Sequence, residues 1–178
     1  MTNEFYQDKL ESERLITRKL TDRDVKIWAD FFSDKEAVEF FPKNEIISHS
    51  EKSKEWITRQ INRYRDNTYG LQALINKQNN DFIGQCGLLL QEVDEVKELE
   101  VGYHIIKKYW GQGFAPEAAR LFIDYAFENN LADSLIAIID KRNLKSKRVA
   151  EKNGLQVEKQ TIWNNIEVEI FRITKGQH

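Results

Sequence analysis

The sequence predicts an α/β chain, a mixed sheet flanked by helices. Three observations lead there. Apolar spacing switches between a period of two and a period near 3.6, in the order β-α-α-β-β-β-α-β-α-β-β. A glycine-rich turn, Tyr109-Trp110-Gly111-Gln112-Gly113-Phe114-Ala115-Pro116-Glu117, joins a strand-like run to a helix-like run. Leu135 to Ile139 is short and continuously apolar, as expected of a strand covered on both faces.

The elements follow in chain order. Leu15 to Leu20 alternates as a first strand. Thr21 or Asp22 can cap a helix to about Ser33, with Val25, Ile27, Trp28 and Phe31 or Phe32 on its apolar faces. Phe40-Phe41-Pro42 breaks the pattern. Ser48 or Ser50 starts a second helix, where Trp56, Ile57, Ile61 and Tyr64 recur at helical spacing. Tyr69 to Ile75 and Phe82 to Gln91 are strands around the polar turn Asn76 to Asp81. Glu98 to Ile106 is the fourth strand. A helix beginning at Pro116 buries Ala118, Leu121, Phe122 and Tyr125. After the apolar fifth strand, Asn143 caps a helix to Asn153, and Gly154 is its C′ residue. Leu155 to Thr161 and Ile166 to Thr174 form a hairpin around Asn164-Asn165.

The glycine-rich turn predicts an anion cradle. Gly111 and Gly113 let the backbone coil tightly and bring its N–H groups close to a ligand. The following helix adds free first-turn amides and its positive dipole end. Pro116 suits a first helical position, having no N–H to leave unsatisfied. A pyrophosphate fits such a cradle. The dinucleotide fingerprint does not, because Pro116 stands at its third glycine and several strands come before it. The G-x-x-x-x-G-K-[ST] phosphate loop is absent.

Trp110-Gly111-Gln112-Gly113-Phe114-Ala115 resembles the acyl-CoA loop of the GNAT N-acetyltransferase superfamily, with Trp110 where that pattern has Gln or Arg. Its Trp-Gly-x-Gly form is similar to that of the ribosomal-protein N-terminal (Rim-type) branch. Glu13-Arg14-Leu15-Ile16-Thr17-Arg18 through Asp24 resembles that branch's opening, and Glu100-Val101-Gly102-Tyr103 its E-x-G-Y strand. Asn143 to Ser146 and Glu151-Lys152-Asn153-Gly154-Leu155 resemble "NxxS…EKxGF". The order holds from about Glu11 to Thr174. The resemblance implies a GNAT-like α/β fold: a mostly antiparallel sheet of about seven strands, flanked by about four helices. Strands four and five would splay apart, with the pantetheine arm of acetyl-CoA in the gap.

Composition bounds the setting. The 178 residues suit one domain, 1–178, burying roughly two thirds of its unfolded surface. The 27 basic and 29 acidic side chains argue against bulk nucleic-acid affinity. No run is apolar enough to span a membrane, and Met1 to Asp8 lacks the layout of a leader. One cysteine, Cys86, gives neither a disulfide framework nor a metal cluster and fits a small core residue. These features favour the cytoplasm, as a monomer or homodimer.

The resemblance assigns roles residue by residue. Backbone amides around Gly111, Gln112, Gly113, Phe114 and Ala115, with Trp110, would hold the pyrophosphate. Ile105 and Ile106 would bond pantetheine, and an amide near His104 would bond the thioester carbonyl. Glu100 is the best base; Glu98 and His104 share its face and are alternates. Asn143 would bond pantetheine amides. Many relatives carry a tyrosine acid seven positions after that Asn, which here is Ala150. Ser146 would contact the sulfur instead, directly or through water. Lys141, Arg142, Lys145, Lys147 and Arg148, with Lys107 and Lys108, would attract the 3′-phosphate or form a solvated face. Trp28, Phe32, Phe40, Phe41, Trp56, Tyr69 and Trp163 are aromatic candidates for acceptor contact. The acceptor is an amine, either a protein N-terminus or a small molecule such as a polyamine, aminoglycoside or amino sugar. A non-catalytic acyl-CoA sensor is the alternative from another class.

Overall fold

A computed structural model describes residues 6–43 and 47–178. Met1 to Phe5, within the stretch read for the layout of a leader, lie outside the described residues. The strands are β1 (Leu15–Lys19), β2 (Leu71–Asn76), β3 (Phe82–Val93), β4 (Val96–Ile105), β5 (Ser134–Asp140), β6 (Gln156–Trp163) and β7 (Ile166–Thr174). They form one seven-stranded sheet in the order β1-β2-β3-β4-β5-β7-β6. Every neighbouring pair is antiparallel except β4 and β5. Among the described residues the α-helices are α1 (Val25–Ser33), α2 (His49–Arg65), α3 (Phe114–Glu128) and α4 (Leu144–Lys152).

The local signals explain most boundaries. Thr21 and Asp24 form a capping box, but over a short 3-10 turn that leads into α1. Ser48 and Glu51 form a second box at the start of α2. Asn164 and Asn165 take φ of 48° and 63°, as a two-residue hairpin turn requires. Gly154 ends α4 at φ 84°.

Several boundaries correct the expectation. β4 starts two residues early and ends before Ile106, which is apolar but heads the turn Lys107–Tyr109. Tyr69 precedes β2, and β6 extends to Trp163. α3 starts at Phe114, so Pro116 is its third residue rather than its first. The missing N–H is harmless there as well, since first-turn amides have no helical acceptor.

The sheet has two differently covered faces. Leu99, Val101 and Ile105 of β4 pack with Ala118, Phe122 and Ala126 of α3. On the opposite face, Ala73 and Phe82 pack with Trp28, Phe31 and Ile57 of α1 and α2. Cys86 is buried in the α3-side cluster, and burial pushes its thiol up. Among the described residues no helix is long and apolar enough to cross a membrane.

The seam between β4 and β5 sets up the site. These strands are matched at one position, Glu100 opposite Ile136. By contrast, β5 and β7 are matched over the whole length of β5, from Ser134 to Asp140. Toward Ile105 the two strands part, as the resemblance implies.

Candidate active site

The glycine turn expected to form a cradle follows β4 and leads into α3. Gly111 and Gly113 adopt φ of 73° and 82°, and Gly113 caps α3. Only residues that tolerate the left-handed region can turn the chain here, which is why glycine occupies both positions. The first-turn amides of Phe114 and Ala115 then face outward with no helical acceptor.

Arg14 braces this turn, a role that sequence reasoning missed. Its guanidinium donates to the Gln112 carbonyl at 2.9 Å and to Glu117 at 2.7 Å, and it lies 4.2 Å over the Phe114 ring. Glu117 also accepts from the Arg14 N–H and from Ser12 Oγ. The available signal was Arg14 within the opening motif. Trp110 donates its indole N–H to the Ile105 carbonyl at 2.7 Å, tying the turn to the end of β4. Asn153 reaches back from α4 to the Pro116 carbonyl at 3.2 Å.

Strand phasing decides which backbone groups face the gap. Ile106 donates to the Ile83 carbonyl and accepts from the Tyr109 N–H, so both its peptide groups are committed. These bonds weigh against Ile106 as a pantetheine partner. Backbone bonding alternates along an antiparallel strand, so His104, like Ile106, turns toward β3, while Tyr103 and Ile105 turn toward the gap. Ile105 remains a candidate through its N–H, and the amide near His104 that faces the gap is that of Ile105 or Tyr103.

Side chains tie the gap on both faces. Glu100 lies where the strands begin to part and is 9% exposed. Its carboxylate accepts from Gln91 Nε2 at 2.8 Å and from the Ile138 N–H of β5 at 3.4 Å. Burial raises its pKa, and the hydrogen bonds from Gln91 and Ile138 and the Arg63 charge oppose that shift. On the α3 face, Tyr103 reaches α4. Ser146 Oγ donates to Tyr103 Oη at 3.1 Å, and Tyr103 Oη donates to the Ser146 carbonyl at 2.9 Å. Asn143 Oδ1 accepts from the Ser146 N–H at 3.1 Å, capping α4 and fixing this turn.

The alternate bases have other environments. Glu98 is held by the Arg172 guanidinium at 2.6 and 3.1 Å. His104 sits edge-on among Phe41, Trp56 and Phe31, with ring centroids at 5.2, 5.3 and 6.2 Å. Burial among these rings lowers its pKa to about 4. It lies four positions after Glu100, about 13 Å along the strand.

The basic run is largely paired. Lys141 meets Glu167, Arg142 grips Asp140, and Lys147 meets Glu169 at 2.6 Å. Lys107 and Lys145 share Glu36, at 2.8 and 2.6 Å. Lys145 also lies 4.2 Å over the Trp110 ring, and Lys108 lies over Tyr109.

The aromatic candidates divide. Phe41 and Trp56 pack edge-on against His104, and Phe32 packs against both of them. Trp28 is fully buried and stacked on Phe31 at 4.1 Å, which makes it core. Tyr69 packs on Tyr6 in the α3-side cluster. Trp163 bonds the Glu92 carbonyl at the far end of the sheet, and Phe40 lies under Arg142. Among the described residues no group of three or more His, Cys, Asp or Glu could hold a metal ion.

Residues 14–156 match the family model described as Acetyltransferase (GNAT) domain. The uncharacterized protein YkkB of Bacillus subtilis (strain 168) is 32% identical over 161 residues, 88% of this chain and 90% of that one. An uncharacterized N-acetyltransferase, p20, of Bacillus licheniformis is 25% identical over 160 residues, 90% of this chain and 88% of its own. Among solved structures, RimL, a ribosomal alpha-N-protein acetyltransferase in complex with coenzyme A, superposes with a TM-score of 0.73. That likeness covers 92% of this chain and 95% of that one at 13% identity, so it is a likeness of fold.

Proposed function

This chain belongs to the GNAT acetyltransferase family, and we propose that it transfers an acetyl group from acetyl-CoA to a primary amine by direct attack in a ternary complex. One observation carries the reading. The cradle at Gly111–Ala115 opens onto a gap in which the backbone of Tyr103 and Ile105 is turned toward an absent neighbour strand. A pyrophosphate followed by an extended, amide-bearing arm fits that continuity. The donors are backbone N–H groups, as a doubly charged anion and a peptide-like chain require.

The chemistry divides among named residues. First-turn amides of α3 bind the pyrophosphate, and Arg14 holds their loop in shape. The Ile105 N–H lies where a thioester carbonyl can gain hydrogen bonding as charge develops. Glu100 accepts the amine proton, directly or through water. Its raised pKa makes it a stronger base than an exposed carboxylate. His104 is the weaker choice. Taking a proton from an amine of pKa about 8 onto an imidazole of about 4 is uphill by roughly 5 kcal/mol. Ser146 stabilises the departing sulfur.

The acceptor is a protein N-terminus or a small-molecule amine, and the setting is the cytoplasm. A thiol-release assay over peptides with varied first residues, polyamines, aminoglycosides and amino sugars tests this. The expected result is coenzyme A release matched by one acetylated amine class. Acetyl-CoA binding without release on any amine, including N-terminal peptides, would favour the sensor alternative instead.

A further inference from the structure

Ser146 does not stand alone at the gap. Its hydroxyl and that of Tyr103 close a small ring across the splay, from α4 to β4. Ser146 O–H points at Tyr103 Oη, and Tyr103 O–H points at the Ser146 carbonyl. The position seven residues after Asn143 is Ala150, 1% exposed and without a donor. The hydroxyl that α4 lacks at Ala150 is brought to the same helix, one turn earlier, by the strand.

We propose that Tyr103 is a positioning residue that aims the Ser146 hydroxyl at the coenzyme's sulfur and hands it a hydrogen bond as the sulfur becomes charged. The inference deepens the transferase reading and rests on coenzyme binding at the same gap. At rest both hydroxyl protons are used within the ring. When the C–S bond breaks, its electron pair stays on sulfur and the amine proton goes to the base. Ser146 O–H turns from Tyr103 to the thiolate, and Tyr103 O–H turns from the Ser146 carbonyl to Ser146 Oγ. No proton leaves either oxygen. The carbonyl that Tyr103 gives up keeps its helical partner within α4. Burial pushes the Tyr103 phenol well above its ordinary value, so a shared hydrogen bond, not proton donation, is the role open to it.

Titration of the thiol of bound coenzyme A, by the ultraviolet absorbance of its thiolate, tests this without any acceptor. Tyr103→Phe keeps the ring in its packing and removes the hydroxyl. It should weaken the acidity of the bound thiol about three- to tenfold, the size of one hydrogen bond, with coenzyme affinity unchanged. Ser146→Ala should weaken it at least as much, and Tyr103→Phe should add nothing in that background. With an accepted amine, single-turnover rates should fall by the same factor, and less so with an acetyl donor whose thiol is more acidic. Unchanged thiol acidity in either single variant overturns the proposal. So does an equal effect of Tyr103→Phe with and without Ser146. A wild-type protein that binds coenzyme A and acetylates nothing overturns the transferase reading, while the titration still decides Tyr103.

Discussion

The two sides of the β4–β5 gap are built from different materials. On the α3 and α4 side lie first-turn amides, left-handed glycines and a hydroxyl pair. On the α1 and α2 side, Phe31, Phe41 and Trp56 surround His104, and Glu100 sits buried beyond them. The first side has a geometry that few residues can supply. The second has an environment that many apolar residues can supply. A fixed ligand end needs the first, and a variable acceptor suits the second.

The sharpest way to break this contrast is at Gly113. Gly113→Asp places a side chain at φ 82°, 3.4 Å from Arg14 Nη2 at the Cβ, and puts negative charge in an anion site. Acetyl-CoA affinity should fall by at least about a hundredfold, with the fold kept. Calorimetry giving the wild-type affinity would sink the cradle assignment.

Glu100→Gln probes the other side. Turnover at neutral pH should fall by roughly a hundredfold, with coenzyme affinity unchanged. The wild-type rate should climb with pH through a carboxylate pKa above the ordinary 4.5, and the variant should lose that limb. The sign for stability is opposite. A raised pKa means the folded state favours the proton, so stability present at low pH is lost as pH rises through that value. The Gln variant should therefore melt higher than wild type at neutral pH and match it in acid. Retained turnover across the pH range would make Glu100 structural.

Ser146→Ala should slow single-turnover chemistry about tenfold while acetyl-CoA binds normally, because its hydrogen bond matters most when charge sits on sulfur. An unchanged rate would leave the sulfur to solvent.

The smallest effect on turnover belongs to His104. His104→Phe should change the neutral-pH rate less than about threefold if the imidazole is packing. Its folded pKa of about 4 lies below the ordinary 6.5, so the wild type loses stability as pH falls between those values. The Phe variant should lose that acid sensitivity in thermal melts. A large fall in turnover would return His104 to the candidate bases.

The same contrast explains what the sequence disclosed. The tight turn before α3 was legible because Gly111 and Gly113 take a left-handed backbone that other residues adopt poorly. Asn143 was legible as a cap, and Ser48 as one of two candidates with Ser50, because their partners are three residues away. The end of β4 was misplaced because Ile106 stays apolar and still bonds the Ile83 carbonyl after the strand ends. The Tyr103–Ser146 ring joins residues 43 apart, and no local pattern carries that distance. Arg14 was hidden similarly, since its partners lie across the fold at Gln112 and Glu117. Trp28 had the composition of a contact residue and the position of a core one, a distinction only packing makes.

The single matched pair between β4 and β5 has a mechanical meaning. It divides the sheet into two leaves, β1 to β4 and β5 to β7, joined at that seam by one backbone bridge and by side chains. An extended ligand lying in the seam would complete the lattice and weld the leaves together. Ligand occupancy then becomes part of the protein's cohesion, adding RT ln(1 + [L]/Kd) to the free energy of unfolding. The amides of Tyr103 and Ile105 are where that welding would register, as hydrogen exchange slowed by a neighbour the chain does not itself encode.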